Sequence, residues 1–434
     1  MTGAVSSLPD VAENPHWLGC RCVVCDREYG TDYDGFVCSD CGVDGILDAV
    51  YDYAAIAAAG SVYDAGLHGL WRFAPLLPVR PAADHPAWTV GDTPVYFSGR
   101  LGDHLGLRHL ILKDDTCLPS ASLKDRASAV AVARARQLSI DHLACASTGN
   151  AAASLAVLTA RAGMTCTIFV PASAPQAKLA QLILHGAHVI PVDGTYDQAF
   201  DLSLTEMAKH QWYSRNCAHN PLLVEGKKTV ALELASSLTG GFASNDGDLP
   251  DAVLVPVGDG CIISSVAKAF IELREVGLIE KIPRVIGVQA AGASPLAQAW
   301  AAVGKSHKDM TGNEVLSVIH PVNAVTFADS ISVGIPRNRV KAWRNVAVTG
   351  GSFIAVDDKT IFEAIGLLAR LAGVFAEPSG ATGLAGVLAA LDQGLISSIE
   401  RVAVLVTGHG LKDPSAGLKN LAMPAPVPPL PSGG

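Results

Sequence analysis

Short apolar runs alternate with helical segments through most of this 434-residue chain, and that alternation limits the folds open to it. The runs that we predict as strands are 110–113, 142–146, 165–170, 188–192, 252–257, 284–289 and 401–407. The segments that we predict as helices are 151–161, 174–184, 195–209, 225–238, 261–276, 359–372 and 380–391. A strand followed by a helix, repeated this often, is typical of parallel sheets covered by helices on both faces.

The length of the chain predicts more than one hydrophobic core. We expect an α/β fold of two three-layer domains with mostly parallel sheets, plus a small N-terminal module. The larger domain would comprise 51–144 and 231–420, with a smaller α/β domain inserted at 145–230 and a cysteine-rich module at 18–50. Ligands of such sheets bind at the carboxyl ends of the strands, where polar motifs are therefore most informative.

The two ends of the chain lack the pattern of a packed core. Residues 1–17 carry few periodic apolar positions, and we expect a flexible arm there. The segment 421–434 is dense in proline, which predicts a disordered tail.

Composition narrows the kinds of partner. A formal net charge of −9 gives no electrostatic footprint for nucleic acid. The sequence shows no secretory leader and no run of about 18 uncharged apolar residues, the length needed to span a bilayer. We therefore expect a soluble, cytoplasmic protein with a small-molecule partner and no nucleic-acid or membrane partner. A homodimer is the default expectation by symmetry.

One lysine stands where a loop of small residues becomes an alanine-rich helix, in Pro119-Ser-Ala-Ser-Leu-Lys-Asp-Arg126. The amine of Lys124 would lie at a helix start beside Arg126, which favours its neutral, nucleophilic form. Schiff-base chemistry with an aldehyde cofactor requires that form. The alternative is a solvated lysine on a helix face.

Two further loops follow predicted strands and precede helices. In Ser147-Thr148-Gly149-Asn150 the first helical amides can hold a carboxylate, and Asn150 can donate to a phenolic oxygen on a bound ring. The alternative for that loop is an ordinary helix cap. The second loop offers glycine turns and helix amides to a phosphate through Gly258, Asp259, Gly260, Cys261 and Ile262.

Single residues of these loops carry further expectations. Asp259 would have to turn its carboxylate away from a phosphate and offer only its N–H, and Ser264 would complete the coordination. Thr407 ends a strand and can place a hydroxyl against a heteroaromatic nitrogen; the alternative is a tight turn with a surface histidine. Together, an amine, a carboxylate cradle, a phosphate cradle and a ring-nitrogen hydroxyl meet the needs of pyridoxal 5'-phosphate carrying an amino acid.

On these motifs the chain resembles the threonine synthases, within the fold-type II pyridoxal-phosphate enzymes of the tryptophan synthase beta-like superfamily. The remaining motifs of the resemblance are Asn220-Pro-Leu-Leu-Val-Glu-Gly-Lys-Lys-Thr229, Glu377-Pro-Ser-Gly-Ala381 and Thr407-Gly-His-Gly-Leu-Lys-Asp-Pro414. The resemblance implies a lyase of threonine biosynthesis that converts O-phospho-L-homoserine and water to L-threonine and phosphate.

The resemblance also implies roles for individual residues. Lys124 would be the catalytic Schiff-base lysine, and Thr407 would partner the pyridine nitrogen. Asn150 would partner the ring hydroxyl, and the loop from Gly258 to Ile262 would bind the cofactor phosphate. The substrate would contact Ser147, Thr148, Gly149 and Glu377.

The sequence departs from that family at a position that matters for the substrate. The family has an arginine two residues after the proline of the Asn-Pro motif, where it helps to bind the substrate phosphate, and this chain has Leu223. An aliphatic side chain cannot replace the bidentate contacts of a guanidinium. Arg215, Lys178 and Lys227 or Lys228 are candidates to compensate. If they do not, a dehydratase or a β-elimination or β-replacement enzyme acting on serine, threonine or a related hydroxyamino acid is the alternative.

The same site shows one smaller departure from the family, and it carries one further expectation. Ser120 and Ala121 replace the glycine pair that usually precedes the active-site lysine. We expect Cys117 and Cys217 to approach the cofactor pocket.

The spacing Cys22-x2-Cys25-x12-Cys38-x2-Cys41 is that of a four-thiolate zinc ribbon. We predict a structural zinc ion there, with unmetallated cysteines as the alternative. The loop between the two pairs is mixed to acidic in charge, which argues against phosphate contacts with nucleic acid. A non-enzymatic protein that binds through this ribbon, on a degenerate scaffold, remains the alternative from another class.

Overall fold

The structure is a computed structural model that describes residues 10–64, 66–83, 89–243, 248–304, 307–414, 416 and 424–426. Apart from 424–426, the predicted tail at 421–434 lies outside the described residues.

The strands are β1 (Val11–Glu13), β2 (Trp17–Cys22), β3 (Glu28–Tyr29), β4 (Val37–Cys38), β5 (Gly42–Tyr51), β6 (Val79–Pro81), β7 (Val95–Phe97), β8 (His109–Asp114), β9 (His142–Ala146), β10 (Thr165–Pro171), β11 (His188–Val192), β12 (Tyr213–Ser214), β13 (Ala252–Pro256), β14 (Arg284–Ala290), β15 (Ser352–Val356) and β16 (Arg401–Val406). The α-helices are α1 (Tyr53–Ala58), α2 (Gly99–Leu105), α3 (Lys124–Gln137), α4 (Asn150–Ala162), α5 (Gln176–Leu184), α6 (Tyr196–His210), α7 (Leu222–Leu238), α8 (Cys261–Glu275), α9 (Pro295–Val303), α10 (Gly312–Val318), α11 (Arg339–Val348), α12 (Asp358–Leu367) and α13 (Pro378–Asp392).

The larger sheet has six strands in the order β15-β14-β13-β16-β8-β7, parallel except for β7 at one edge. Its strands are apolar on both faces because helices cover both. Along β13, Val253 and Val255 join the core formed with α8, whereas Leu254 joins a second core with Leu384 of α13. The sheet is therefore the middle layer of three, and the predicted α/β fold class is confirmed.

The smaller sheet has four parallel strands in the order β11-β10-β9-β12. Strand β9 pairs with β10 along its whole length and with β12 at Leu143 and Ala144, so the predicted boundary at 145 falls within a strand rather than between elements. The predicted boundary at 230 also falls inside α7, which is continuous and packs against α3 and α8. Helix α7 is buried on nearly all sides although it carries charged residues, and Glu225 and Glu233 form ion pairs with buried cations.

The N-terminal module is a four-stranded antiparallel sheet in the order β3-β2-β5-β4. The predicted flexible arm at 1–17 is wrong for its described part, since β1 pairs with β6 and Asn14 is buried. The Nδ2 of Asn14 donates to the carbonyl of Leu77 at 2.8 Å, which anchors the segment. Across the described residues, no helix is long and apolar enough to cross a bilayer.

Candidate active site

Lys124 is the first residue of α3, and it is held in place by the loop that follows β16. The N–H of Leu123 donates to the carbonyl of Thr407 at 3.0 Å, and the N–H of His409 donates to the carbonyl of Ala121 at 3.0 Å. Ser122 and Gly408 form a bridge between the two loops. These contacts fix the lysine next to the end of a central strand of the larger sheet.

A cavity of about 740 Å³ lies where the carboxyl ends of β9, β13 and β16 meet. The twelve residues predicted to bind cofactor or substrate all line it: Lys124, Ser147, Thr148, Gly149, Asn150, Gly258, Asp259, Gly260, Cys261, Ile262, Glu377 and Thr407. Because ligands of open α/β sheets bind outside the carboxyl ends of strands, this is the expected place for a ligand.

Two long helices begin at this cavity. Among the described residues no side chain caps the start of α4 or of α8, so the first amides of both helices are available to a ligand. Uncapped helix N-termini attract anions through these amides and through the helix dipole. Two anionic groups of one ligand complex can be bound there, which fits a phosphate and a carboxylate.

The loop between β13 and α8 requires its glycines. A Cβ on Gly258 would lie 2.9 Å from the Cα of Ile331, and Gly260 has a φ of +85°. The side chain of Asp259 is turned toward the backbone, since its Oδ1 accepts a hydrogen bond from the N–H of Arg337 at 3.2 Å. The expectation for Ser264 is wrong, because this fully buried side chain donates to the carbonyl of Cys261 and accepts from Asn338.

The amine of Lys124 has a pKa lowered to about 8, first by burial and then by the nearby charge of Lys227. The sequence predicted that the helix start and Arg126 favour the neutral amine, and the part assigned to Arg126 is wrong. The guanidinium of Arg126 is fully buried between Asp115 and Glu233, at 2.7 Å from each, so its charge is already balanced. Desolvation, which penalises the ammonium form, is the main cause.

Glu377, directly before α13, and Asn150, the first residue of α4, line the same cavity as Lys124. The Nδ2 of Asn150 donates to Oε1 of Glu377 at 2.7 Å. Burial raises the pKa of Glu377 to about 7, against the opposing effects of Lys124, Asn150 and Lys412. The cavity thus holds a lysine and a glutamate whose pKa values both lie near neutrality, an arrangement suited to proton transfer.

The candidates to replace the family's arginine lie in different places. Arg215 and Lys227 line the cavity, whereas Lys228 is fully buried between Glu225 and Glu272. Lys178 pairs with Asp329 at 2.6 Å and lines a neighbouring cavity of about 300 Å³. Leu223 is fully buried within the core.

Several lining residues carried no sequence signal. The segment 329–335 forms one wall together with Tyr196, Phe200 and Arg337. This segment has no regular periodicity, so only the tertiary fold reveals it. Cys217 lines the cavity as expected, whereas Cys117 lies exposed at the surface, contrary to expectation.

The four predicted metal-binding cysteines come together. The sulfur atoms of Cys22, Cys25, Cys38 and Cys41 all lie within 4.8 Å of one another. The hydroxyl of Tyr29 donates to Sγ of Cys38 at 3.1 Å, and the N–H of Val24 donates to Sγ of Cys22 at 3.4 Å. Such donors stabilise metal-bound thiolates, and four sulfurs at these separations fit a tetrahedral zinc site.

Comparison with known proteins places this site in a family. The family described as "Pyridoxal-phosphate dependent enzyme" matches residues 88–408, and the chain is a member of it. Threonine synthase from Methanocaldococcus jannaschii is 37% identical over 404 residues, which cover 92% of this chain and 94% of that protein. Threonine synthase from Mycobacterium tuberculosis H37Rv is 36% identical over 78% of this chain and 86% of that protein. Within the pyridoxal-phosphate enzymes, the chain belongs to the threonine synthases.

Solved structures agree on the fold. The processed form of threonine deaminase isoform 2 from Solanum lycopersicum has a TM-score of 0.60 at 21% identity, over 75% of this chain and 81% of that one. Maize serine racemase also has a TM-score of 0.60, at 23% identity, over 74% of this chain and 90% of that one. At such identities the likeness shows the fold alone.

Proposed function

We propose that this protein converts O-phospho-L-homoserine and water to L-threonine and phosphate, with pyridoxal 5'-phosphate attached to Lys124. One observation carries the proposal: a single cavity brings together the Lys124 amine, two uncapped helix N-termini and the Thr407 hydroxyl. The relatives that cover most of the chain are threonine synthases, which favours this reaction.

The residues of the cavity fit the cofactor and the substrate in distinct places. The amides of Gly260, Cys261 and Ile262 would hold the cofactor phosphate at the start of α8. The Thr407 hydroxyl would contact the pyridine nitrogen, and Asn150 would reach the ring hydroxyl when it leaves Glu377. When bound, the cofactor supplies an electron sink for reactions at the α-carbon of an amino acid.

The substrate carboxylate would lie against Ser147, Thr148 and Gly149 at the start of α4. The Nζ of Lys124, once free, would accept the α-proton, because a pKa of about 8 leaves a useful fraction of this amine neutral near neutral pH. Glu377 would exchange a proton with the substrate or the cofactor ring, since its pKa lies near 7.

The reaction can be tested by offering the cofactor-loaded protein O-phosphohomoserine, threonine and serine in parallel, with phosphate and keto acid as readouts. We expect phosphate and threonine in equal amounts from O-phosphohomoserine. Lys124→Ala should abolish this activity, while Lys359→Ala, at an exposed position, serves as the matched control. Keto acid from threonine or serine without phosphate release would contradict the proposal.

A dehydratase or β-replacement enzyme is the second candidate, and one observation favours it. Leu223 is buried where the family places its phosphate-binding arginine. An enzyme for an unphosphorylated hydroxyamino acid would have no use for that arginine. The same substrate comparison separates the two candidates.

The N-terminal cluster would hold a structural zinc ion on Cys22, Cys25, Cys38 and Cys41. A cytoplasmic location is supported by the ten cysteines, none of which forms a disulfide, as is usual in reducing compartments. We also propose a homodimer, the commonest symmetric assembly. Light scattering on the purified protein would give its mass, and a mass of one chain would contradict the dimer.

A further inference from the structure

Two buried cations line the cavity without an ion pair to any carboxylate of the described residues. Arg215 is 1% exposed and Lys227 is 2% exposed, and both line the cavity. Among the described residues, neither forms an ion pair with a carboxylate, although the buried cations Arg126, Lys228 and Lys268 all do. Burial of a charge without a counter-ion costs free energy, so a bound anion would stabilise these two cations.

The acidic groups that line the cavity are engaged elsewhere. Asp197 lies 3.6 Å from Arg337, and Asp329 lies 2.6 Å from Lys178. Asp259 accepts from the backbone, and Glu377 accepts from Asn150. Lys227 interacts instead with the thiols of Cys217 and Cys261. A hydrogen bond from Cys261 and the charges of Lys227 and Arg215 lower the pKa of the Cys217 thiol, so one thiolate faces two buried cations.

The positions of the two cations suit an anion that enters from the cavity. Nε of Arg215 donates to Oγ of Ser128 at 2.8 Å, and one terminal nitrogen donates to the carbonyl of Lys124 at 3.2 Å. A guanidinium has five N–H donors, so several remain for a ligand. Lys227 lies one helical turn beyond Leu223 on α7, and residues four apart share a helix face.

We propose that Arg215 and Lys227 bind the phosphoryl group of the substrate, in place of the arginine that Leu223 replaces. This inference rests on the proposed function, and it names the residues that would bind the substrate phosphate in a chain without the family's arginine. The guanidinium supplies directional donors and the ammonium supplies a second charge for a phosphomonoester dianion. The cofactor phosphate has the same chemistry, so the test must separate the two sources.

Inorganic phosphate binding to the cofactor-loaded protein separates them, because the cofactor then fills its own phosphate site. We expect Lys227→Met and Arg215→Met each to raise the Kd for inorganic phosphate about tenfold or more, measured by titration calorimetry. The KM for O-phosphohomoserine should rise in parallel, and Lys227→Arg should restore most of both. Lys359→Met is the control, since its side chain is exposed and lies outside the residues that line the cavity.

Visible absorption of the bound cofactor and circular dichroism show whether each variant is folded and loaded. Unchanged phosphate affinity in folded Lys227→Met and Arg215→Met would overturn the proposal. So would variants that lose affinity for the cofactor but keep that for inorganic phosphate, because the pair would then serve the cofactor phosphate. If the wild type binds phosphate through this pair but releases none from O-phosphohomoserine, the proposed function fails while the anion site stands.

Discussion

The side chain of Lys124 is surrounded by groups that shift its pKa in opposite directions. Burial and Lys227 lower it, while Cys217, Cys261 and Glu377 raise it. Attachment of an aldehyde needs the neutral amine, so the rate of cofactor attachment to the cofactor-free protein should rise with pH to a midpoint near 8.

Two substitutions should move that midpoint in opposite senses. Glu377→Gln removes a negative charge that favours the ammonium form, and we expect a lower midpoint. Lys227→Met removes a positive charge that disfavours it, and we expect a higher midpoint. Stopped-flow absorbance over a pH series measures both, with Lys359→Ala as the control. Shifts in the same direction would contradict this electrostatic description of the amine.

Ala121, in the loop before Lys124, replaces a glycine of the family, and this replacement strains the backbone. Its φ of +61° lies in the left-handed region, where an alanine is strained and a glycine is not. We expect Ala121→Gly to raise the free energy of unfolding by about 1 kcal/mol, measured by urea denaturation. A destabilised Ala121→Gly protein would show that the loop is not strained in this way.

Among the elements, the close contact of α3 with α7 determines where Lys124 lies. A Cβ on Gly226 of α7 would lie 2.1 Å from the carbonyl oxygen of Arg126, so the two helices touch backbone to backbone. We expect Gly226→Ala to reduce the free energy of unfolding by about 3 kcal/mol and to weaken cofactor binding, because α3 must move. Denaturant titration and cofactor absorbance provide the two readouts.

Gly99→Ala is the matched control for that substitution. Its Cβ would meet nothing among the described residues within 4 Å, at the first position of α2. We expect a change within about 0.5 kcal/mol in either direction. Equal effects of the two substitutions would mean that the contact between α3 and α7 is not the reason for Gly226.

The elements also show how far the sequence predicts this fold. The motifs at 147–150, 258–262 and 407 were found because each lies directly after a buried strand or at its end, which is a local pattern. The pairing of β1 with β6 escaped prediction because it joins residues about 70 positions apart. The charge balance of Arg126 escaped for the same reason, since Glu233 lies 107 residues away. Local sequence patterns predicted the loops that line the active site. The tertiary structure was needed to show which buried charges, such as that of Arg126, are already neutralised by ion pairs.

At the scale of the molecule, the N-terminal module is joined to helices α8 and α11 by ion pairs with buried lysines. Lys268 of α8 lies 2.6 Å from Asp48 of β5 and 2.9 Å from Glu225 of α7, and Lys341 of α11 also pairs with Asp48. Burial opposes ionisation of Asp48, but the two lysines prevail and hold the pKa of that carboxyl below its usual range. Unfolding of the module would leave these cations without that partner.

Loss of metal should therefore destabilise the whole chain. We expect one zinc ion per chain by elemental analysis, and a Tm several degrees lower after chelation or in Cys38→Ser. Cys117→Ser, at an exposed position outside the cluster, should leave zinc content and Tm unchanged. Purified protein that lacks zinc yet has the same Tm with and without added zinc would contradict a structural role.

The most direct test of the proposed active site is to locate the cofactor on the chain. The loaded protein is reduced with borohydride, digested and analysed by mass spectrometry. We expect the pyridoxyl-phosphate group on the peptide containing Lys124, and none on the Lys124→Ala protein. A group attached to another lysine, or to no lysine, would contradict the central claim that the cavity at the carboxyl ends of β9, β13 and β16 is the active site.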